Sequence, residues 1–537
     1  MPEENDGLLW IPLGGNDTDE IRANCHVFSS IVTDKAGQRH KDTIIVDIGA
    51  DEVEPDSINR FFHSVIPALH EHVALPNAPE PKEPASALFL THAHADHIGG
   101  VSEYLKLGAD LPPIYASEFT LSMLKKDLVS KGVDLKRLPE LHAVRPGEKI
   151  RIGEVTLEPT QAPHSIPGSL GVKVSNAAAS VYHSGDVKAD TSSYLGEPMD
   201  EVHMSEIGRE VDLMVFDATA AVKPGFARKE EDICESYTDV FRECEGKQVV
   251  SLIKSSHMER FATVLKAAEN AGRDVIIQGG SEMQVHLMGL QSAGISLNGL
   301  APKIRILNHM NPEAARMDPR RTIVISSGIE GNEEAPFFTV LRGEKGTVPL
   351  MPDAVVVAPL TRKKYQKFKE TLYSHDAAQG LKFIGAEDIP GLDGSGHGQK
   401  EDFLHLMKLV HAKTIIPVHC RTKKADDFNR MASSLGHGVF RNQVRNGEVL
   451  HVSSERGVRR MQQKPSWHFV LWEEKGRDGE TVLKRRFQPD QKMPALYSSR
   501  SFEERRTKAD RLFEKYKQNT HQGLHPVLAR FLQKDRS

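Results

Sequence analysis

The chain has 537 residues, of which 39% are hydrophobic and 27% are charged, and its formal net charge is −5 at pH 7. This length allows several domains and a large core, and the ordinary composition excludes collagen-like, disordered and disulfide-stapled proteins. The four cysteines form no C-x-x-C pair, so a zinc ribbon and a redox dithiol are excluded and a reducing compartment is favoured.

The sequence shows no targeting or membrane-spanning pattern. Its first residues, MPEENDGLLW, contain acids and no basic region ahead of an apolar segment. No later stretch approaches the roughly 20 unbroken apolar residues of a membrane span. We therefore expect a soluble, cytoplasmic protein that has no membrane partner.

The first 210 residues predict mainly strands. Short β-branched runs alternate with Gly, Pro, Asn and Asp, a pattern typical of strands and turns. The runs are LLWIPLGG, CHVFSSIVT, TIIVDIGAD, ALFLTHAHAD, VTLEP, LGVKVS and SVYHSGD. Between them EFTLSMLKKDLVS predicts a helix. This region is the expected first part of a catalytic α/β domain.

From Val211 the pattern changes to strands that alternate with helices. VDLMVFDATA, VVSLI, DVIIQGG, RTIVISSG and DAVVVAPLT predict strands, and KEEDICESYTDVFREC and HMERFATVLKAAENAG predict the helices between them. Such alternation is typical of βαβ units on a parallel sheet. We expect a separate α/β unit over residues 211–359, and residues 360–454 hold the loop GLDGSGHG, a helix EDFLHLMKLV and a strand TIIPVHC.

The last part of the chain, residues 455–537, is basic. It contains 20 lysines and arginines against 11 acids, so the rest of the chain carries the negative charge. WHFVLWEEKG predicts a strand pair, and EERRTKADRLFEKYKQ predicts a solvated amphipathic helix. We interpret this segment as a short C-terminal appendage that serves assembly or attracts phosphate.

The strongest chemical signal is THAHADHIGG at residues 91–100, directly after the apolar run ALFL. It places His92, His94, Asp96 and His97 within six positions on one loop. Imidazole and carboxylate ligands without thiolates suit zinc or another divalent metal of similar preference. The motif therefore predicts a metal site.

Four residues cannot complete two metal sites, so further ligands must come from elsewhere. Three residues lie at turn-like positions after predicted strands: His164 in QAPHSIPGSLG, Asp186 in YHSGDVKAD and His419 in TIIPVHC. Each alone is as often a satisfied polar residue in a turn. Together with the cluster at residues 91–100, they are predicted to be ligands.

The ordered set of motifs resembles the ribonuclease J family, in the β-CASP branch of the metallo-β-lactamase superfamily. The resemblance covers residues 8–452 and rests on PLGGN, the H-x-H-x-D-H cluster, HSIPGSLGV, HSGDVKAD, GSGHGQKEDF and IIPVH. It implies an α/β fold, namely a metallo-β-lactamase αββα sandwich of residues 1–210 and 360–454 with an inserted β-CASP α/β domain of residues 211–359.

The resemblance also implies a two-metal site. One divalent ion, zinc or alternatively manganese, would lie between His92, His94 and His164. The second would lie between Asp96, His97 and His419, and Asp186 would bridge both. Two such ions lower the pKa of a shared water and clamp the phosphoryl oxygens of a phosphodiester.

Further roles follow from the same resemblance. Asp217 in LMVFDATA and His397 in DGSGHG match acidic and histidine motifs of the family and, with Asp96, are the expected catalytic residues. His397 would protonate the leaving oxygen while Asp217 holds its ring. The expected phosphate-binding residues are Ser326, Ser327, Gly328, Ser395, Gly396 and His397.

The implied function is a metal-dependent ribonuclease that cuts single-stranded RNA, with 5′-3′ exonuclease and endonuclease activity and a dimeric or tetrameric assembly. DNA processing is an alternative, as is a small-molecule metallo-hydrolase such as a lactonase or thioesterase, because H-x-H-x-D-H alone permits each of them. A non-catalytic RNA-binding subunit is a further alternative. The presence of all seven expected ligands argues against a degenerate site.

Overall fold

The computed structural model describes residues 6–16, 23–53, 61–64, 84–106, 111–360, 362–440, 442–461, 467–475 and 481–489. Within these residues it contains 24 strands and 12 α-helices. The strands in chain order are β1 (Gly7–Gly14), β2 (Cys25–Thr33), β3 (Arg39–Val46), β4 (Ala50–Val53), β5 (Phe61–Ser64), β6 (Ala87–Phe89), β7 (Ile114–Ala116), β8 (Leu141–Ala143), β9 (Ile150–Ile152), β10 (Val155–Gln161), β11 (Leu170–Ser175), β12 (Ser180–His183), β13 (Leu213–Asp217), β14 (Val249–Ile253), β15 (Asp274–Gln278), β16 (Ile306–Asn308), β17 (Thr322–Ser327), β18 (Val355–Ala358), β19 (Lys382–Gly385), β20 (Thr414–Val418), β21 (Leu450–Ser453), β22 (Gly457–Arg460), β23 (Trp467–Lys475) and β24 (Thr481–Pro489).

The helices include each of the segments for which the sequence predicts one within the described residues. They are α1 (Ala95–Ile98), α2 (Val101–Lys106), α3 (Glu118–Ser130), α4 (Glu201–Gly208), α5 (Glu230–Glu243), α6 (Met258–Asn270), α7 (Ser281–Ser292), α8 (Leu297–Leu300), α9 (Pro336–Leu341), α10 (Arg362–Tyr373), α11 (Lys400–Leu409) and α12 (Thr422–Ser434). Of the helices described, none combines the length and the apolar character that a membrane crossing requires.

Two sheets face each other in the catalytic domain. One has eight strands in the order β22-β21-β1-β2-β3-β6-β7-β8, and the other has six in the order β20-β13-β12-β11-β10-β9. Apolar side chains from both sheets, including Trp10, Phe28, Val172 and Val215, form one buried core between them. Helices cover the two outer faces, so the predicted αββα sandwich is confirmed.

In strand β13, every side chain is buried, on one face of the sheet or the other. Successive side chains of a strand point to opposite faces. Leu213 and Val215 accordingly enter the core between the sheets, whereas Met214 and Phe216 pack under the covering helices. Because both faces are buried, the run shows no polar alternation. Its last residue, Asp217, stands at the carboxyl end of the sheet.

The inserted domain is built on a six-stranded sheet with the order β16-β15-β17-β14-β18-β19. Every neighbouring pair in it is parallel. The predicted βαβ organisation is therefore confirmed. Since the strands run in one direction, their carboxyl ends form a single edge, and loops at this edge approach the catalytic domain.

The boundaries of the inserted domain differ from those expected. The strand Leu213–Asp217, assigned by sequence to the insertion, pairs with β12 and β20 in the second catalytic sheet. Conversely, Lys382–Gly385, assigned to the catalytic domain, is an edge strand of the inserted sheet. Short apolar strands look alike in sequence, and their hydrogen-bonding partners decide the sheet to which they belong.

The start of the appendage also differs. Gly457–Arg460 pairs with Leu450–Ser453 and therefore belongs to the eight-stranded sheet. The expected strand pair is present, because Trp467–Lys475 pairs antiparallel with Thr481–Pro489. The first of these strands also pairs with Phe61–Ser64, far away in sequence. The helix expected from EERRTKADRLFEKYKQ lies outside the described residues.

Candidate metal centre

The loop that carries the H-x-H-x-D-H motif is held in place by Asp47. Its carboxylate accepts hydrogen bonds from the Thr91 backbone N–H at 2.8 Å and from the Thr91 hydroxyl at 2.7 Å. His97 Nδ1 lies 2.7 Å from Asp47 Oδ2, the same oxygen that accepts from the Thr91 hydroxyl. Asp47 and His419 are the two non-glycine residues with positive φ within the described residues, at 62° and 56°. Such strained backbone concentrates at functional sites.

Three histidines and one aspartate meet at the first candidate metal position. His92 Nε2 and His164 Nε2 lie 3.0 and 3.2 Å from His94 Nδ1. Both Nε2 atoms lie 3.6 Å from Asp186 Oδ2. His164 Nδ1 donates to the Gly396 carbonyl at 2.7 Å, which leaves its Nε2 lone pair directed at the cluster.

The second candidate position is built on the other oxygen of Asp186. His97 Nε2 lies 3.5 Å and His419 Nδ1 lies 3.4 Å from Asp186 Oδ1. Asp96 Oδ2 lies 3.1 Å from His419 Nε2 and 3.7 Å from His97 Nε2. The structure thus brings all seven expected ligands together, with one Asp186 oxygen turned to each position.

The donor set fits divalent cations. Nitrogen lone pairs and carboxylate oxygens converge within 4.8 Å of one another in each group. Within the described residues, the ion pairs of Asp96 and Asp186 are formed with histidines, and none is formed with a lysine or arginine. Buried carboxylates that lack such a partner are stabilised by a bound metal. His92, His94, His164 and Asp186 would hold one ion, and Asp96, His97, His419 and Asp186 the other.

The electrostatics of the centre divide the ligand histidines into two groups. Burial lowers the pKa of His94 to about 4, so its ring is neutral at physiological pH. Burial opposes protonation of His97 and His419, but Asp186 and the neighbouring carboxylates hold the pKa of both rings well above the ordinary value, so metal binding there would release protons. Burial alone would raise the pKa of Asp96, but the neighbouring His97 and His419 outweigh it and hold that pKa well below its usual range. Neutral imidazoles and ionised carboxylates are the forms that bind metals.

Asp217 and His397 form a pair beside the two metal positions. His397 Nδ1 donates to Asp217 Oδ2 at 2.8 Å, and His397 Nε2 lies 3.9 Å from Asp186 Oδ2. Burial opposes protonation of this histidine, yet Asp217 and Asp186 raise its pKa above the ordinary value. The ring is 21% exposed, so a substrate atom can reach it. The expected pairing of the two residues is present.

Ser395 and Gly396, the two residues that precede His397, make structural contacts with other residues of the protein. The Ser395 hydroxyl accepts from the His397 backbone N–H at 3.0 Å and shapes the loop. A Cβ atom on Gly396 would lie 2.8 Å from the Cβ of Ser165 and 3.1 Å from a ring carbon of His164. Glycine is therefore required here by close packing against a ligand loop, and the Gly396 carbonyl orients His164.

The other expected phosphate-binding residues end β17 in the inserted sheet. Ser326 is buried, and its hydroxyl donates to the Gln278 carbonyl at 2.9 Å. This hydroxyl is therefore engaged within the sheet, contrary to the expectation that it faces substrate. Ser327 is also buried. Gly328 has a φ of 131°. For Ser327 and Gly328 phosphate binding stays a prediction.

Sequence reasoning missed several residues that orient the ligands. The Thr219 hydroxyl lies 2.8 Å from His419 Nδ1 and 2.9 Å from the His419 carbonyl. Ser165 Oγ lies 3.4 Å from His94 Nε2, and Asn24 Nδ2 lies 3.0 Å from His97 Nε2. The only signal in the sequence is that Thr219 and Ser165 stand within two residues of expected site residues.

A second group of charged residues lies buried between the two domains. We call it the interface ion cluster: Lys188, Asp190, Glu230 and Arg260. Lys188 Nζ lies 2.6 Å from Asp190 and 3.3 Å from Glu230. Arg260 Nε lies 3.2 Å from Glu230. The cluster joins the loop after Asp186 to the helices α5 and α6.

Arg260 also connects this cluster to the loop that carries His397. Its Nη1 donates to the Leu392 carbonyl at 3.0 Å and its Nη2 to the Gly394 carbonyl at 3.4 Å. Glu230 accepts a further hydrogen bond from the Thr263 hydroxyl at 2.6 Å. Nothing in the local sequence distinguishes these residues from solvated helix charges.

Comparison with known proteins agrees with this geometry. The sequence-family model described as the beta-lactamase superfamily domain matches residues 38–259 of this chain. A crystal structure of a protein of unknown function from Enterococcus faecalis V583 superposes with a TM-score of 0.52 at 16% identity, covering 83% of this chain and 100% of that one. The fold and the candidate site are therefore similar to those of hydrolases of the metallo-β-lactamase superfamily.

Curated relatives narrow the assignment. Ribonuclease J of Sinorhizobium meliloti is 26% identical over 458 residues, which cover 84% of this chain and 75% of that protein. Ribonuclease J of Mycolicibacterium smegmatis is 28% identical over 339 residues, which cover 62% of this chain and 58% of that protein. The chain thus spans three quarters of the first relative and less than two thirds of the second. The chain is therefore similar to ribonuclease J over most of its length.

Proposed function

We propose that the protein is a metal-dependent ribonuclease that hydrolyses phosphodiester bonds of single-stranded RNA, with 5′-3′ exonuclease and endonuclease activity in RNA processing and decay. The observation that carries this proposal is the Asp217–His397 pair, which stands 3.9 Å from the shared ligand Asp186. Such a pair supplies a proton donor beside the metal positions. The similarity to ribonuclease J supports RNA as the substrate.

Individual residues of the chain have separate roles in the proposed reaction. Divalent cations, when bound, supply Lewis acidity toward phosphoryl oxygens and lower the pKa of water. Asp217 accepts the His397 Nδ1–H and so directs the protonated Nε2 toward the site. That Nε2–H is the donor for the leaving oxygen. Asp217 itself accepts the Thr219 backbone N–H at 2.9 Å, which fixes its carboxylate. Burial would raise the pKa of Asp217, but the adjacent His397 outweighs it and holds that pKa well below its usual range.

The proposal is tested with matched oligonucleotides. The purified full-length protein is incubated with single-stranded RNA that carries a 5′-monophosphate, 5′-triphosphate or 5′-hydroxyl, and with DNA of the same sequence. We expect release of mononucleotides from the 5′-monophosphate RNA and internal cuts in the longer RNAs. Cleavage of DNA alone would assign DNA processing instead, and turnover of only lactone or thioester substrates would assign a small-molecule hydrolase.

The role of His397 has its own test. His397→Ala removes the proton donor and retains all seven proposed metal ligands. Turnover of saturating RNA should fall about 100- to 10,000-fold, the range of general acid catalysis, with little change in RNA affinity. Loss of affinity with an unchanged turnover number would show that His397 binds phosphate instead.

Three finer assignments belong to the same proposal. We propose zinc as the metal, with manganese as the alternative, and metal analysis of the purified protein distinguishes them. A dimer or tetramer is proposed from the resemblance to ribonuclease J and is measured by light scattering. A cytoplasmic location is proposed because the four cysteines are buried free thiols, which suits a reducing compartment.

A further inference from the structure

The loop that follows Asp217 exposes an aromatic ring. Eight large hydrophobic side chains are exposed in the described part of the chain, and two of them, Val222 and Phe226, lie on this loop. Phe226 is 61% exposed. In the same part of the chain, Phe226 belongs to no buried core cluster and contacts no other aromatic ring. The ring therefore contributes little to the stability of the fold.

The same loop is rigidly attached at both ends. It begins at Asp217 of the proton-donating pair and ends at Glu230, which is buried in the interface ion cluster. In the middle, the Lys223 carbonyl accepts from the Lys400 backbone N–H at 2.9 Å, and the Gly225 carbonyl accepts from the Glu401 backbone N–H at 3.2 Å.

These hydrogen bonds fix the position of the ring relative to the reaction centre. The Ala227 backbone N–H donates to Asp402 Oδ2 at 2.5 Å. Lys400 is only three residues after His397, and a chain spans at most about 3.6 Å per residue. The backbone of this loop is therefore tied to the segment that follows His397, and Phe226 is an exposed ring on a braced backbone.

The loop that carries this ring is itself basic, although two acidic residues lie against it: Asp402, whose carboxylate accepts the Ala227 backbone N–H, and Glu401, whose backbone N–H donates to the Gly225 carbonyl. Residues 218–229 contain Lys223, Arg228 and Lys229 and no acidic residue. Acidic residues follow only in the first turn of α5, where Glu230 points into the interface ion cluster and Glu231 and Asp232 are exposed. An exposed aromatic ring flanked by cations is the arrangement by which proteins hold single strands, with bases stacked on the ring and phosphates near the cations.

We propose that Phe226 is a stacking platform for a base of the single-stranded RNA. This inference rests on the proposed function and adds a specific contact to it. Stacking accepts every base, so the site favours unpaired over paired strands without selecting a sequence.

The test compares Phe226 with Tyr373, the other aromatic residue that is exposed in the described part of the chain. Tyr373 ends α10 in the inserted domain, and its ring lies 6.4 Å from that of Phe383. Phe226→Ala should lower kcat/KM for a single-stranded RNA decamer about 5- to 100-fold, as expected for loss of one base stack. Tyr373→Ala should change it less than twofold. Thermal midpoint and bound metal, measured on the same preparations, should stay unchanged in both variants.

Two further variants separate stacking from simple apolar contact. Phe226→Trp should retain the affinity, whereas Phe226→Leu should behave like Phe226→Ala because it keeps apolar surface and loses the ring. The slope of log kcat/KM against log salt should not change in Phe226→Ala, since no charge is removed. Equal activity of the Leu and Trp variants, or unchanged kinetics of Phe226→Ala, overturns the stacking site alone. Failure of the wild-type protein to cleave RNA overturns the proposed function as well.

Discussion

The metal centre and the interface ion cluster are both dense in charge, but they differ in how that charge is balanced. At the metal centre the carboxylates of Asp96 and Asp186 face only imidazoles, and unprotonated ring nitrogens point toward one another. In the interface ion cluster, Lys188 and Arg260 face Asp190 and Glu230. The carboxylates of the interface ion cluster are balanced by lysine and arginine side chains of the protein itself. Those of the candidate metal centre have no such partners among the described residues and are suited to bound cations.

The comparison teaches how to distinguish a ligand site from a structural ion network. Strongly shifted pKa values occur in both clusters, so they do not separate the two. Burial would raise the pKa of Glu230, yet Arg260 and Lys188 hold it well below its usual range. The deciding property is whether cationic side chains satisfy the buried carboxylates. Three predictions test this distinction, and the largest effect comes first.

Asp186→Asn removes the carboxylate that faces both metal positions. We expect loss of bound metal and reduction of RNA cleavage to the level of the metal-free protein, because an amide is a poor ligand for these ions. Metal analysis and a cleavage assay measure the two effects. The fold should persist, since the substitution removes negative charge from a site without lysine or arginine partners.

Asp190→Asn is the matched control, four residues further along the same loop. Its carboxylate lies 2.6 Å from Lys188 Nζ. Removal of one partner from a buried pair costs about 3 kcal/mol or more, so the variant should lose stability and retain metal. If Asp190→Asn lost metal as completely as Asp186→Asn, the two clusters would not be functionally distinct.

Glu230→Gln tests whether the charges of the interface ion cluster stabilise the fold by pairing with one another. The change leaves Lys188 and Arg260 without their shared carboxylate, and we expect the free energy of unfolding at pH 7 to fall by about 3–5 kcal/mol. Because the folded-state pKa of Glu230 is lowered, its contribution is present above its unfolded pKa and is lost as the pH falls below that value.

The difference in stability between the wild type and Glu230→Gln should therefore narrow below about pH 4.5, the ordinary value for a glutamate. Denaturant titrations at pH 7 and at acidic pH measure this difference. If the difference in unfolding free energy between the two proteins stayed constant with pH, the ionised form of Glu230 would not be what stabilises the interface.

The smallest effect concerns Arg260, which connects the cluster to the loop of His397. Arg260→Lys keeps the charge beside Glu230 but cannot reach the Leu392 and Gly394 carbonyls at the same time. The loop would then hold Gly396 and His397 less firmly. We expect kcat for RNA to fall about tenfold and metal affinity to weaken by a similar factor, as for other residues that orient ligands.

Arg273 offers a matched control for this variant. It is a buried arginine of the inserted domain that donates to the carbonyls of Phe241, Cys244 and Lys247, away from the His397 loop. Arg273→Lys should lower the thermal midpoint and leave kcat and metal affinity within twofold of the wild type. Equal kinetic losses in both variants would indicate general destabilisation rather than positioning of the His397 loop.

Some features could be read from the sequence because their signals are local. His92, His94, Asp96 and His97 lie within six residues after an apolar strand, and a strand end directs such side chains to one point. His164, Asp186 and His419 also follow strands, at β10, β12 and β20. In the sheet that contains these strands, β12 and β20 are both parallel to β13, and β10 runs in the same direction as β12 because both are antiparallel to β11. The carboxyl ends of all three strands therefore lie at one edge, and these ligands meet there.

Other features had no local signal. The sheet to which Leu213–Asp217 belongs was misassigned, because its apolar residues suit either a catalytic or an inserted sheet. The Ser326 hydroxyl was expected to face phosphate, but it donates to Gln278 of a neighbouring strand. In both cases a residue far away in sequence decides the outcome.

By itself, the sequence determined the type of chemistry, the seven proposed ligands and the alternation of strands and helices in the insertion. These properties depend on residue type and on spacing along the chain, and both can be read from the sequence without knowledge of long-range contacts. Only the tertiary structure decided which nitrogen of each histidine faces the metals, and which buried charges are already paired. Both properties are set by partners distant in sequence, such as Gly396 for His164 and Glu230 for Lys188.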